Sequence, residues 1–260
     1  MCGHYEYGIC RRQHLVALAG AALLSLRSAV LVLLIVLARP SFGTEGVTAD
    51  ASAGAAVLQR FILSQREASG WPVETIEIEA SLPTLKKTGR LRAIRRLFPV
   101  GHANYKVLEI TGDATVKNQV IVRYISADQK ATELAPSSVA LTPANYKIRC
   151  AGSVWLGNRL TYAFRMIPRK KREGLINGVL WLDAETGIAV RESGYLAKSP
   201  SVFVKRINLT RENELHNGSI TERITHIAVE TRLIGRAQLV IVERPTSAET
   251  ADRGVVEDGQ

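Results

Sequence analysis

Apolar positions along this chain change their spacing after about residue 70. From Ala55 to Ser69 they fall three and four apart, which predicts an amphipathic helix. Val57, Leu58, Phe61 and Ile62 form its stripe; Gln59, Arg60, Gln65, Arg66 and Glu67 lie mostly opposite. Gly70 ends the pattern and Trp71-Pro72 blocks its continuation. From Val73 the period is two. In the run from Glu74 to Ala80, Ile76 and Ile78 share one face, and Glu77 and Glu79 share the other. Leu85 to Leu97 returns as a basic strand, with Leu91, Ala93 and Arg95 alternating against Arg92, Ile94 and Arg96. Tyr105 to Thr111 reads as the next strand. Val116 to Leu134 reads as mostly helical.

The second half continues in hairpins. Asn145 to Leu156 and Arg159 to Pro168 flank Gly157-Asn158, a strong two-residue turn signal. Gly174 to Ile207 reads as three strands, with a turn at Ala184 to Gly187. Two more strands fill Ser219 to Thr231 and Arg232 to Glu243. The pattern predicts a mainly β (α+β) fold. About ten antiparallel strands would form one large curved sheet, an incomplete β-barrel, covered by one or two amphipathic helices.

The N-terminal segment has a different character. Arg11-Arg12, the apolar run from Ser28 to Ala38 and the small residues Ser41 and Gly43 follow the order of a secretory signal peptide over residues 1–43. Combined with Leu15 to Leu26, the apolar run would also be long enough for an uncleaved anchor, and both readings stay open. Either one exports the body to the periplasm, free or held at the inner membrane. Residues 44–54 read as a linker, 55–243 as the folded domain and 244–260 as a disordered tail.

Charge and chemistry narrow the picture only slightly. The formal net charge is +10, and the four arginines and Glu6 of residues 1–43 account for part of it, so the body is only mildly basic. The strip Lys86–Arg96 has no aromatic interleaving, which argues against a nucleic-acid partner. His102, His216 and His226 are scattered, no metal-ligand spacing occurs, and neither a nucleophile elbow nor a phosphate-binding glycine loop is present. The chain is therefore read as a non-enzyme with no cofactor. Cys150 is read as a small buried residue. Asp183 and Glu185 are read as turn formers. The candidate site is apolar: Leu160, Tyr162, Phe164 and Met166 on one strand face, Ile76 and Ile78, Val179 and Trp181, and Phe61 and Ile62 from the covering helix.

The order of elements and the segment YAFRMIPRKK … GVLWLDAETGIAVRESGYL carry a family resemblance. A strand ending at Pro168 leads to G-x-x-W-x-D at Gly178–Asp183, then a D-x-x-T-G turn and a returning strand with Val190-Arg191. Over roughly residues 50–243 this resembles the LolA-type outer-membrane lipoprotein-sorting, or lipoprotein carrier, superfamily. The resemblance implies a periplasmic half-barrel with a helical lid, holding lipid or lipoprotein acyl chains for transport. It implies a monomer that meets membrane-associated partner proteins. The same fold also serves envelope sensors, so a non-carrier interaction module stands as the alternative. The carrier's key arginine has no matched position in this chain.

Overall fold

In this computed structural model, residues 45–67, 71–98, 101–232 and 235–246 are described. All of them belong to one compact unit, residues 44–260. The leader expected over residues 1–43 and most of the expected tail lie outside the described residues; the last strand itself reaches Pro245.

Helix α1 runs from Glu45 to Glu67. It therefore begins inside the stretch read as a linker, whose small residues, Ala51 to Gly54 among them, are compatible with a helix as well as with a loop. Three strands follow: β1 (Val73–Leu82), β2 (Lys87–Phe98) and β3 (His102–Gly112). Residues 114–132 form a continuous helical segment, α2, with a π-helical stretch at Lys117–Ile121. Asp113 caps its start by accepting from the amides of Thr115 and Val116. A short helix, α3, spans Pro136–Val139. Seven strands complete the chain: β4 (Tyr146–Leu156), β5 (Arg159–Pro168), β6 (Ile176–Asp183), β7 (Ala189–Leu196), β8 (Val204–His216), β9 (Ser219–Thr231) and β10 (Arg236–Pro245).

The ten strands make one antiparallel sheet in the order β3-β2-β1-β10-β9-β8-β7-β6-β5-β4. It does not close, so β3 and β4 are its two edges. Period-two alternation separates an inner face, on which α1 and α2 sit, from an outer face. On the outer face the basic strip of β2 meets its cross-strand partners in β1: Arg90 pairs with Glu79 at 2.5 Å, and Arg92 lies 3.8 Å from Glu77. These are solvated pairs of small energetic value. Cys150 is exposed on β4 instead of buried, because β4 is an edge strand.

The inner face carries two separate hydrophobic clusters. The first joins Ile76, Ile78, Leu91, Leu239 and Ile241 to Val116, Val120 and Ile121 of α2. The second joins Tyr146, Tyr162, Phe164, Met166, Leu180 and Leu182 to Val57, Leu58 and Phe61 of α1. Strands β7 to β9 lie between the clusters, and β7 is half-buried along its whole length.

Candidate functional site

The second cluster is an aromatic and aliphatic wall packed against α1. Tyr162, Phe164 and Met166 are 8 %, 1 % and 2 % exposed, packed with Val57, Leu58 and Phe61 of α1 and with the loop residues Leu141 and Leu175. Close approach depends on two glycines. A Cβ on Gly54 would stand 2.9 Å from the Cys150 sulfur and 3.2 Å from Tyr162 Cδ1. Gly187, at φ +77°, lets the β6–β7 turn reach the helix, with Arg60 Cβ at 3.1 Å from where its own Cβ would be.

That turn is the D-x-x-T-G motif. Asp183 Oδ1 accepts from the amides of Glu185 and Thr186 and from the Thr186 hydroxyl, which shapes the loop. These bonds hold the Asp183 carboxyl below its ordinary range despite partial desolvation. The shaped turn then offers two carbonyls to α1: Arg60 donates to Glu185 O at 2.6 Å and to Ala184 O at 2.9 Å. Asp183 and Glu185 are thus turn formers that also seat the covering helix.

The residues expected to line one cavity do not all meet. Phe61, Tyr162, Phe164 and Met166 do come together in the second cluster. Ile76 and Ile78 belong to the first, beneath α2. Ile62 is half-buried on α1 and Leu160 is exposed on β5, at the hairpin end. Val179 and Trp181 lie on the outer face. The register decides this: Phe164 pairs with Leu180 and Tyr162 with Leu182, so those two leucines take the inner positions. Trp181 instead lies beneath the Arg191 guanidinium at 5.6 Å. The apolar wall thus continues through β6 by leucine and not by tryptophan.

Beside the first cluster lies a buried charge network that periodicity alone did not reveal. Arg95 contacts Glu74 by a short salt bridge, Asp128 of α2 at 2.9 Å and Glu243 at 3.8 Å. Tyr105 donates to Asp128 at 2.6 Å. Arg223 reaches Glu243 at 3.5 Å and Asn213 at 3.2 Å. Further along the inner face, Arg211 meets Glu192 at 3.3 Å. A polar band therefore separates the two clusters. Sequence parity held the signal: Glu74 has the parity of Ile76 and Ile78, Arg95 that of Leu91 and Ala93, and Glu243 that of Leu239 and Ile241. These are charges on the apolar face of neighbouring strands.

Burial opposes the Arg95 charge, but Asp128, Tyr105 and Glu74 together hold its pKa above the ordinary arginine value. Tyr105 and Tyr124 are pushed far up by desolvation and then by Asp128. Glu74 is raised as well, mainly by desolvation, with Arg95 opposing and Glu243 adding to the rise. Three carboxylates around two arginines leave one negative charge in excess, and the deeply buried Glu74 is the group that gains from a proton. Its folded pKa exceeds its unfolded one, so the folded state holds more protons between them. Stability therefore falls as pH rises from about 4.5 through the folded value. Thermal midpoints measured across that range should show this fall in the parent and a flatter profile in Glu74→Gln.

Among the described residues, no group of three or more His, Cys, Asp or Glu is placed to hold a metal ion. No helix among them is long and apolar enough to cross a membrane.

Neither a family model nor a curated protein matches this chain. Solved structures do. The chain is similar to an outer membrane lipoprotein-sorting protein domain from Vibrio parahaemolyticus, with 12 % identity, 79 % of this chain and 98 % of that chain covered, and a TM-score of 0.37. It is also similar to a LolA superfamily protein from Nitrosomonas europaea, with 10 % identity, 76 % and 96 % coverage, and a TM-score of 0.39. Likeness at this level says nothing about what the chain binds.

Proposed function

We propose that this protein is a periplasmic acyl-chain binder, in which α1 is a lid over the second cluster. One observation carries the reading: the two covering helices are fastened differently. Helix α2 is anchored by polar bonds, from Asp128 to Arg95 and Tyr105 and from Gln129 Nε2 to Ala103 O at 3.2 Å. It is also tied into the chain at both ends, by β3 and β4. Among the described residues, the contacts of helix α1 are chiefly those of the apolar stripe Val57, Leu58 and Phe61, with Arg60 bonding the β6–β7 turn. It precedes the sheet and can leave without breaking a strand. Its departure would bare Tyr146, Tyr162, Phe164, Met166, Leu180 and Leu182.

An acyl chain would replace the helix stripe on that wall, gaining about 0.8 kcal/mol per buried methylene. The lid equilibrium shifts by the difference in affinity of the ligand for the open and closed states. Arg211 is the candidate for the head group. It pairs with Glu192, which pairs with Leu180 of the wall, and its Nε is buried without a hydrogen-bond partner among the described residues. Carriage of lipid or lipoprotein chains between membranes is the activity this arrangement would serve.

Titration with a fluorescent fatty acid tests the proposal. Saturable binding is expected, about tenfold weaker in Arg211→Gln for the acid and unchanged for the matching fatty alcohol. Absence of both probe binding and copurified lipid in detergent-free protein would favour the second reading, a closed interaction or sensor module. The observation behind that reading is that both clusters are already filled by the protein's own helices.

A further inference from the structure

The two rims of the sheet differ in character. Antiparallel pairing places the ends of β1, β5, β7 and β9 and the starts of β2, β6, β8 and β10 along one rim, with the connections at 83–86, 169–175 and 197–203 between them. Exposed Lys86, Lys170, Lys171, Lys205, Arg232 and Arg236 line it. Its exposed acids stand beside cations. Glu173 holds Lys198 at 2.8 Å, and Glu230 stands opposite both Arg206 and Arg236 in register. Among the described residues the other rim is less basic: its turn at 184–188 carries Glu185, Asn217-Gly218 and Gly157-Asn158 are uncharged, and Arg159 beside them is paired with Asp183.

An apolar tip projects from the middle of the basic rim. Val202 is 78 % exposed and Phe203 59 %, the most exposed large aliphatic and one of the most exposed aromatic side chains among the described residues. The tip is structured. Val204 N donates to Ser201 O at 3.1 Å, Phe203 N to the Ser201 hydroxyl at 3.2 Å, and Arg232 N to Phe203 O at 2.9 Å. The last bond ties the β7–β8 loop to the β9–β10 turn. Leu85, 46 % exposed, adds a second apolar point on the same rim.

The geometry points to a membrane-docking rim: Val202 and Phe203 enter the head-group layer of an anionic bilayer while the surrounding lysines and arginines meet lipid phosphates. Apolar insertion combined with a basic collar fits such a surface better than it fits a soluble polyanion, which would leave the tip unused. This does not rest on acyl-chain binding, since the rim lies outside the wall under α1.

Cosedimentation with vesicles tests it, using residues 44–260, which hold all ten strands and both clusters. Phosphatidylcholine vesicles are compared with vesicles one third phosphatidylglycerol. Binding to the anionic vesicles, weakened by salt, is expected. Lys170→Gln/Lys171→Gln should bind about 25-fold more weakly, from about a fivefold loss per cation. Val202→Asp/Phe203→Asp should lose at least about tenfold. Both pairs are exposed, so thermal midpoints should stay unchanged. Failure of the parent to bind anionic vesicles overturns the proposal. So does undiminished binding by the Asp pair, or equally tight binding to dextran sulfate that ignores that pair. Vesicles also offer acyl chains, so binding is repeated with α1 locked by a Gly54→Cys disulfide to Cys150. Docking should persist there; its loss would mean lipid uptake instead of rim contact and would overturn the proposal.

Discussion

Oxidised Gly54→Cys protein should fail to take up a fluorescent fatty acid that the reduced form still binds. Cys150 is the native thiol beside α1, and a Cβ at position 54 lies 2.9 Å from its sulfur. That matches the about 3 Å between one Cβ and the opposite sulfur in a disulfide. In residues 44–260 no other native cysteine competes. The bond would add about 2–4 kcal/mol of bias towards the seated helix. Apparent affinity should fall about 30- to 1000-fold, because only the open state binds. Gly54→Cys with Cys150→Ala keeps the added Cβ but cannot close the bond, and it should bind as the reduced protein does. An oxidised protein that binds like the parent would show that ligand entry does not need α1 to move.

Arg95→Leu should be the most damaging substitution in the first half of the sheet. It leaves Glu74 and Glu243, 1 % and 7 % exposed, and the α2 carboxylate Asp128 without their shared cation. Removing one member of such a cluster costs about 3–5 kcal/mol. For a domain of this size that is a fall of about 10 °C in thermal midpoint. The double variant Arg95→Leu/Glu74→Leu should recover part of the loss, since it removes the most deeply buried charge together with its partner. Calorimetry of parent, single and double variants decides this; a single variant within 1 °C of the parent would mean that the network carries no stability.

Strand count and hairpin order were legible because polar turns such as Gly157-Asn158 and Asn217-Gly218 interrupt a steady period of two. The face of β6 was not. Val179, Leu180, Trp181 and Leu182 are all apolar, so alternation there has no contrast, and pairing with Phe164 and Tyr162 settles it. The start of α1 was hidden by small residues that suit a helix or a loop. Arg95 was hidden among like neighbours: Arg92 and Arg96 flank it, and its partners lie 21 residues away at Glu74, and further off at Asp128 and Glu243. The buried face of β5 was legible, because Tyr162, Phe164 and Met166 alternate with Ala163 and Arg165. Separation of Ile76 and Ile78 from that wall was invisible, because both clusters show the same alternation and only the sheet order divides them.

The sheet order also governs when the protein can become itself. Strand β1 lies between β2 and β10, and the hydroxyls of Thr75 and Thr246 touch at 2.6 Å across 171 positions of chain. The first cluster takes Ala237, Leu239 and Ile241 from β10, so a chain emerging N-terminus first cannot finish it until that strand has appeared. Loop closure over that span is slow compared with hairpin formation. The second cluster needs nothing beyond Ala197 and can mature earlier. A growing chain would thus hold a finished second cluster while its opposite side still shows a bare β1 edge. That interval is the protein's exposure to aggregation and proteolysis, and its length is set by the arrival of one C-terminal strand.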